Sequence, residues 1–207
     1  MAGVLLYGGS FDPIHNGHLI IARHVALRIG AERTVLIPAA APPHKLGRTL
    51  APAADRLEMC RIATVGDSGF SVSDWELHQA GPNYTLLTIR HFRQEIPPPA
   101  PLYWLIGLDS LAELSTWYCV GELVEECTLV TAGRPGVGGP RLESLRGLAS
   151  DAAIERLRAN IIDTPLIDIS STEIRARVRN GQPISQLVPA AVERFIREKR
   201  LYSMPPA

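Results

Sequence analysis

Two apolar runs, Val4 to Tyr7 closed by Gly8 and Gly9 and Thr34 to Ile37 closed by Pro38, flank a stretch whose apolar residues recur at helical spacing. Runs that do not alternate with polar residues are what strands covered on both faces require, so each is read as a buried parallel strand. Between them Leu19, Ala22, Arg23, Ala26 and Leu27 keep a period near that of an α-helix, and Gly30 supplies its stop. The alternation continues. ADRLEMCRIAT after Pro52 and YTLLTIRHFRQE from Tyr84 read as helices, LYWLIG from Leu102 and TLVTAG from Thr128 as short strands. The fold class is therefore α/β: a Rossmann-like, doubly wound parallel sheet with helices on both faces, its ligands beyond the carboxyl ends of the strands. Positions 1–207 are expected to form a single domain with a helical C-terminal part from about position 170.

Charge narrows the partners. Lys plus Arg and Asp plus Glu number 21 each, so no global positive field gathers nucleic acid or an anionic membrane, and any anion site must be local. Cys60, Cys119 and Cys127 are odd in number and lack the paired spacing of a disulfide framework or zinc knuckle, which points to a reducing cytoplasm. The opening MAGVLLYGGSFDP has no basic leader, and its apolar run is too short to cross a membrane.

The first constellation is GGSFDPIHNGHL. Gly8 and Gly9 directly after a strand allow unusual dihedrals and close approach of a phosphate, although such a pair also makes a plain tight turn. His15 and His18, three apart around a helix start, stand near its free N–H groups and positive dipole end, a place that attracts polyanions. Phosphates there would favour the protonated imidazoles. Zinc ligation by the pair is the weaker alternative, since no third ligand lies close in sequence. Asp12 before Pro13 reads as a turn or capping carboxylate in preference to a general base.

The second constellation is ISSTEIR. Ser170 and Glu173 form the two ends of a capping box, which leaves Ser171 and Thr172 in the first helical turn with Arg175 beside them, a setting for a triphosphate. In APPHK, Pro42 and Pro43 stiffen a loop that presents His44 and Lys45. Gly107 closes a strand, so Asp109 stands where a carboxylate accepts hydrogen bonds from ribose hydroxyls.

Taken whole, GGSFDPIHNGHL resembles the HxGH signature of the nucleotidyltransferase superfamily, and its GGxFDPxHxGH form resembles the nicotinate-nucleotide adenylyltransferases. ISSTEIR is similar to the motif that closes the ATP site in the same family, so the resemblance spans positions 8–175. It implies transfer of AMP from ATP to nicotinate mononucleotide, with nicotinamide mononucleotide as a further acceptor, in NAD biosynthesis. Gly8, Gly9, Ser10, Phe11, Gly107, Asp109, Arg134, Ser171 and Thr172 would then bind ATP, while His15, His18, Lys45 and Arg175 act on its phosphates. IGLDSLAELSTW resembles the family's IGxDSLxxLxxW and implies that Trp117 stacks on the pyridine. Tyr84 and Thr85 in NYT, with Tyr118, complete that pocket.

The implied cofactor is Mg²⁺ carried by ATP, because no acidic cluster suits caging it. Partners are ATP and the pyridine mononucleotide, with a homo-oligomer left open. Three positions depart from the family pattern: Asn83 for serine, Leu87 for an aspartate and Leu108 for a smaller residue. Pantetheine-phosphate adenylyltransferases and cytidylyltransferases share the HxGH logic but differ in both motifs, and a regulatory module without turnover would not need the full set of phosphate-contacting residues.

Overall fold

The computed structural model describes residues 3–40, 50–136 and 138–203. Six parallel strands run β1 (Gly3–Gly9), β2 (Ala31–Pro38), β3 (Phe70–Val72), β4 (Leu102–Gly107), β5 (Thr128–Gly133) and β6 (Ile161–Asp163), in the spatial order β3-β2-β1-β4-β5-β6. That order reverses direction between β1 and β4, where Val4 pairs with Leu102 and Leu6 with Trp104. A crevice opens beyond the strand ends at such a reversal, because the connecting segments leave in opposite directions.

The expected Rossmann-like α/β architecture is present. The two-residue period of the strands sends alternate side chains to opposite layers. Val4, Leu6, Val35, Ile37, Trp104 and Ile106 pack with Ile89 and Phe92 of α3 (Thr85–Glu95), Leu123 of α5 (Val120–Glu126) and Ile154 of α6 (Asp151–Ala159). On the other side Leu5, Leu105 and Val130 meet Ala22 and Val25 of α1 (Asn16–Ile29). A third cluster joins Leu36 to Met59 of α2 (Ala53–Ala63), Ile174 of α7 (Ser171–Arg179) and Ile196 of α8 (Ala190–Glu198). Each fully buried aliphatic side chain contributes about 1.5–3 kcal/mol, so these seams hold the helices to the sheet.

Gly30 ends α1 in the left-handed conformation at φ 67°, its N–H donating to the carbonyls of Ala26 and Leu27, as the stop signal required. Gly8 and Gly9 correct an expectation. They are the last two residues of β1, paired with Ile37 and Pro38, and neither has a positive φ. Gly8 is needed for packing instead: a Cβ there would collide with the indole ring of Trp104.

β3 and β6, three residues each, did not stand out in the sequence, since their residues are half-buried or exposed at the sheet edges and carry no long apolar run. Among the described residues no helix is long and apolar enough to cross a membrane.

Candidate active site

Two adjoining cavities occupy the crevice at the β1/β4 reversal, sharing Tyr7, Ser10, Leu105, Ile106 and Gly107 in their walls. The larger, about 870 Å³, is lined by Ser10, Asp12, His15 and His18 from the first motif and by Ser171, Thr172 and Arg175 from the second. Asp109 and Arg134 line it as well. The smaller, about 350 Å³, is aromatic and holds Gly8, Gly9, Tyr84, Thr85, Trp104, Trp117 and Tyr118. Stretches of chain more than 150 positions apart thus wall one cleft.

Their junction is explicit. Arg175 donates from Nη1 to the carbonyl of Asp12 at 2.7 Å and stands 3.6 Å from its Oδ2, while Nη2 reaches Oγ1 of Thr172 at 3.3 Å. The Ser171 hydroxyl donates to the carbonyl of Pro13 at 2.9 Å. Asp12 is 2% exposed, and its Oδ1 accepts from the N–H of Ala51 and from the hydroxyl of Tyr202 at 2.8 Å. The carboxylate is thereby a knot between β1, the segment before α2 and the C-terminal end of the described chain.

Two helix starts meet at the larger cavity. His15 is the N-cap of α1 and His18 its third residue; their rings stack with centroids 3.6 Å apart. His18 Nδ1 accepts the backbone N–H of His15 at 3.2 Å, so the neutral ring carries its proton on Nε2, the nitrogen suited to donate to a phosphate. Burial pulls the His15 imidazole down to about 4, so without an anion nearby it is neutral; a bound polyanion acts in the opposite sense. Phe11 takes φ 44°, a strained value for a bulky residue, and lines neither cavity. Its buried ring braces Tyr7 and His18 at centroid distances of 5.4 and 5.2 Å.

At α7, Ser170 caps the helix by accepting from the N–H of Glu173 at 3.1 Å, but the reciprocal half of the capping box is absent. Glu173 pairs with Arg177 at 2.7 Å, one turn along, where the guanidinium outcompetes a backbone N–H for the carboxylate. With its hydroxyl engaged by Pro13, Ser171 has its backbone N–H to offer an anion.

In the smaller cavity Thr85 is the first residue of α3 and Tyr84 its N-cap, stacked on Tyr118 at 4.5 Å. His44 and Lys45 lie outside the described residues.

Two site residues escaped sequence reasoning. Arg56 on α2 is 1% exposed and donates to the carbonyls of Ser10 and Ala39 at 2.7 Å each and of Ala51 at 3.0 Å. Glu76, in the 3₁₀ turn Trp75–His78, is 3% exposed and lines the aromatic cavity. Both sit in patterns where a charged residue ordinarily faces solvent, so only contacts distant in sequence reveal them. Among the described residues no group of three or more His, Cys, Asp or Glu side chains could hold a metal ion.

Comparison with known proteins agrees with this architecture. Residues 6–177 match the cytidylyltransferase-like family, and the chain belongs to that class of nucleotidyltransferases. It is 39% identical over 198 residues to a Moorella thermoacetica protein named "probable nicotinate-nucleotide adenylyltransferase", which covers 95% of this chain and 90% of the relative. A Dehalococcoides mccartyi protein of the same name is 38% identical over 199 residues, 95% of each chain. Within its class, the chain belongs to the nicotinate-nucleotide adenylyltransferase family. Its fold matches that of a Plasmodium falciparum nicotinic acid mononucleotide adenylyltransferase complexed with NaAD, with a TM-score of 0.75 and 18% identity over 98% of both chains. A second structure of that Plasmodium protein, complexed with APC, has a TM-score of 0.70 at the same identity and coverage.

Proposed function

We propose that this protein transfers the AMP part of ATP to nicotinate mononucleotide, with nicotinamide mononucleotide as a further acceptor, giving the dinucleotide and pyrophosphate. One observation carries the reading: the starts of α1 and α7 share a cavity that opens onto an aromatic one, both at the β1/β4 reversal. ATP belongs in the larger, with its phosphates against the two helix starts, and the mononucleotide in the smaller, its pyridine on Trp117.

The 5′-phosphate of the mononucleotide attacks the α-phosphorus of ATP and pyrophosphate leaves in line. That nucleophile is already ionised at neutral pH, so the site needs alignment and charge neutralisation instead of a strong base. His18 donates from Nε2–H at the bridge between the α and β phosphates, and His15 serves a neighbouring phosphate. Arg175, Lys45 and the first-turn N–H groups of Ser171 and Thr172 receive the leaving pyrophosphate. Each such preorganised donor contributes on the order of 3 kcal/mol to the transition state. Asp109 accepts from ribose hydroxyls, and Ser10, Gly107 and Arg134 complete the nucleotide's surroundings. ATP enters as its magnesium complex. Thr85 and Tyr118 hydrogen-bond the pyridine substituent.

The test supplies ATP and magnesium with each pyridine mononucleotide, and with phosphopantetheine as control, and identifies the product by mass. Dinucleotide from nicotinate mononucleotide is the expected result; dinucleotide from neither pyridine acceptor overturns the reading.

A further inference from the structure

We propose that Glu76 reads the substituent on the pyridine ring: its carboxyl, held as the neutral acid, donates a hydrogen bond to the carboxylate of nicotinate mononucleotide and so favours the acid over the amide. This rests on the placement of the pyridine in the aromatic cavity.

Glu76 lines that cavity together with Tyr84, Thr85, Trp117 and Tyr118. Among the described residues its carboxyl is held through one oxygen. Oε1 accepts the Thr88 hydroxyl at 2.6 Å, and the Glu76 backbone carbonyl accepts Nδ2 of Asn83 at 2.9 Å. Asn83, one of the departures from the family pattern, thus holds the turn that presents the acid. With Oε1 engaged as an acceptor, the acid proton belongs on Oε2.

Among the described residues Glu76 forms no ion pair. The phenols of Tyr7, Tyr84 and Tyr118 share its cavity, and the charged groups on the elements around it are engaged elsewhere: Asp74 with Arg61 and His78, Arg90 with Glu122 and Glu126, Arg93 on the carbonyl of Ala100, while His91 on α3 stacks on Trp75 at 4.5 Å. Glu95 takes up His91 at 3.5 Å. Among the described residues no cation offsets burial, which pushes the Glu76 carboxyl up to about 7 against the lowering effect of the Thr88 hydrogen bond.

The chemistry then sorts the two substrates. An ionised Glu76 repels a nicotinate carboxylate and can accept only from the N–H of an amide. The neutral acid donates to a carboxylate through a short charge-assisted bond and to an amide carbonyl through a weaker neutral one. Preference for the nicotinate acceptor should therefore be greatest while Glu76 carries its proton.

The readout is the ratio of kcat/KM for nicotinate mononucleotide to that for nicotinamide mononucleotide, measured from about pH 6 to about pH 9. Ionisation of the 5′-phosphate is common to both acceptors and cancels. In the wild type the ratio should fall as pH rises, approaching ~10-fold per pH unit on its basic limb. Glu76→Gln keeps an acceptor for Thr88 and a donor for the ligand but cannot titrate; its ratio should be flat with pH and near the acid limb of the wild type. A flat wild-type ratio, or an unchanged slope in Glu76→Gln, overturns the proposal.

A second measurement needs no variant. Calorimetric binding of nicotinate mononucleotide to the wild type above neutral pH, in two buffers of different ionisation enthalpy, should show more proton uptake than binding of the amide; equal uptake overturns the proposal. Failure to convert either mononucleotide sinks the reading of the whole site, whereas conversion with a pH-independent ratio sinks only the role of Glu76.

Discussion

Replacing Arg56 by Met tests whether a single buried cation organises the backbone beside Ser10, where the two cavities meet. Its guanidinium satisfies three carbonyls from three segments: Ser10 after β1, Ala39 after β2 and Ala51 before α2. Burial presses the guanidinium toward its neutral form, and Asp12 acts against that. Methionine fills most of the volume but removes the donor to those carbonyls and a neighbouring positive charge from Asp12. Three charge-assisted hydrogen bonds at about 1.5–3 kcal/mol each set an upper bound. Relief of the guanidinium's own desolvation offsets part of it, so the net loss should be about 3–5 kcal/mol, as when one partner of a buried charged pair is removed. For a chain of 207 residues that lowers Tm by roughly 10 °C. The assay is thermal and urea unfolding of purified wild type and variant. Arg56→Lys, which keeps the charge but loses the planar fork, should fall between them. At a temperature where Arg56→Met remains folded, kcat/KM should also fall, since Ser10 lines both cavities and Ala39 the smaller one. Stability within about 1 kcal/mol of wild type would refute the argument, because three buried carbonyls cannot lose a cationic donor at so small a cost.

His18→Ala should lower kcat by ~100-fold or more, with a stability change of only about 1 kcal/mol from the lost contact to the His15 N–H; steady-state kinetics on the folded variant checks this. Trp117→Ala should raise KM for the mononucleotide more than KM for ATP, in line with about 1–3 kcal/mol of stacking, read by varying each substrate in turn. Stability against pH should separate two buried groups. The folded-state pKa of His15 is depressed to about 4, so its contribution is fully present above its unfolded value and is lost as pH falls from about 6.5 toward 4. That of Glu76 is raised to about 7, so its contribution is present below the usual carboxylate range and is lost as pH rises through 7. Wild type minus His15→Gln should therefore grow with rising pH, and wild type minus Glu76→Gln should shrink, each by on the order of 2–3 kcal/mol in urea unfolding.

Elements that depend on neighbours along the chain were legible in the order of residues alone. Apolar runs ended by Gly or Pro marked β1, β2, β4 and β5, and helical spacing with the stop at Gly30 marked α1. The dense motifs GGSFDPIHNGHL and ISSTEIR pointed to the segments that wall the larger cavity, because helix caps and first turns are written in a few consecutive residues. What those signals could not convey is the reciprocity of distant parts. Only the folded chain brings Arg175 onto the carbonyl of Asp12 and Tyr202 onto its carboxylate. Only there is Gly8 seen to make room for Trp104, and only there do Arg56 and Glu76 become buried, Glu76 in the wall of the smaller cavity. Burial and electrostatic partnership depend on what lies across the structure, and a charged residue within a local pattern carries no mark of the loops that will enclose it.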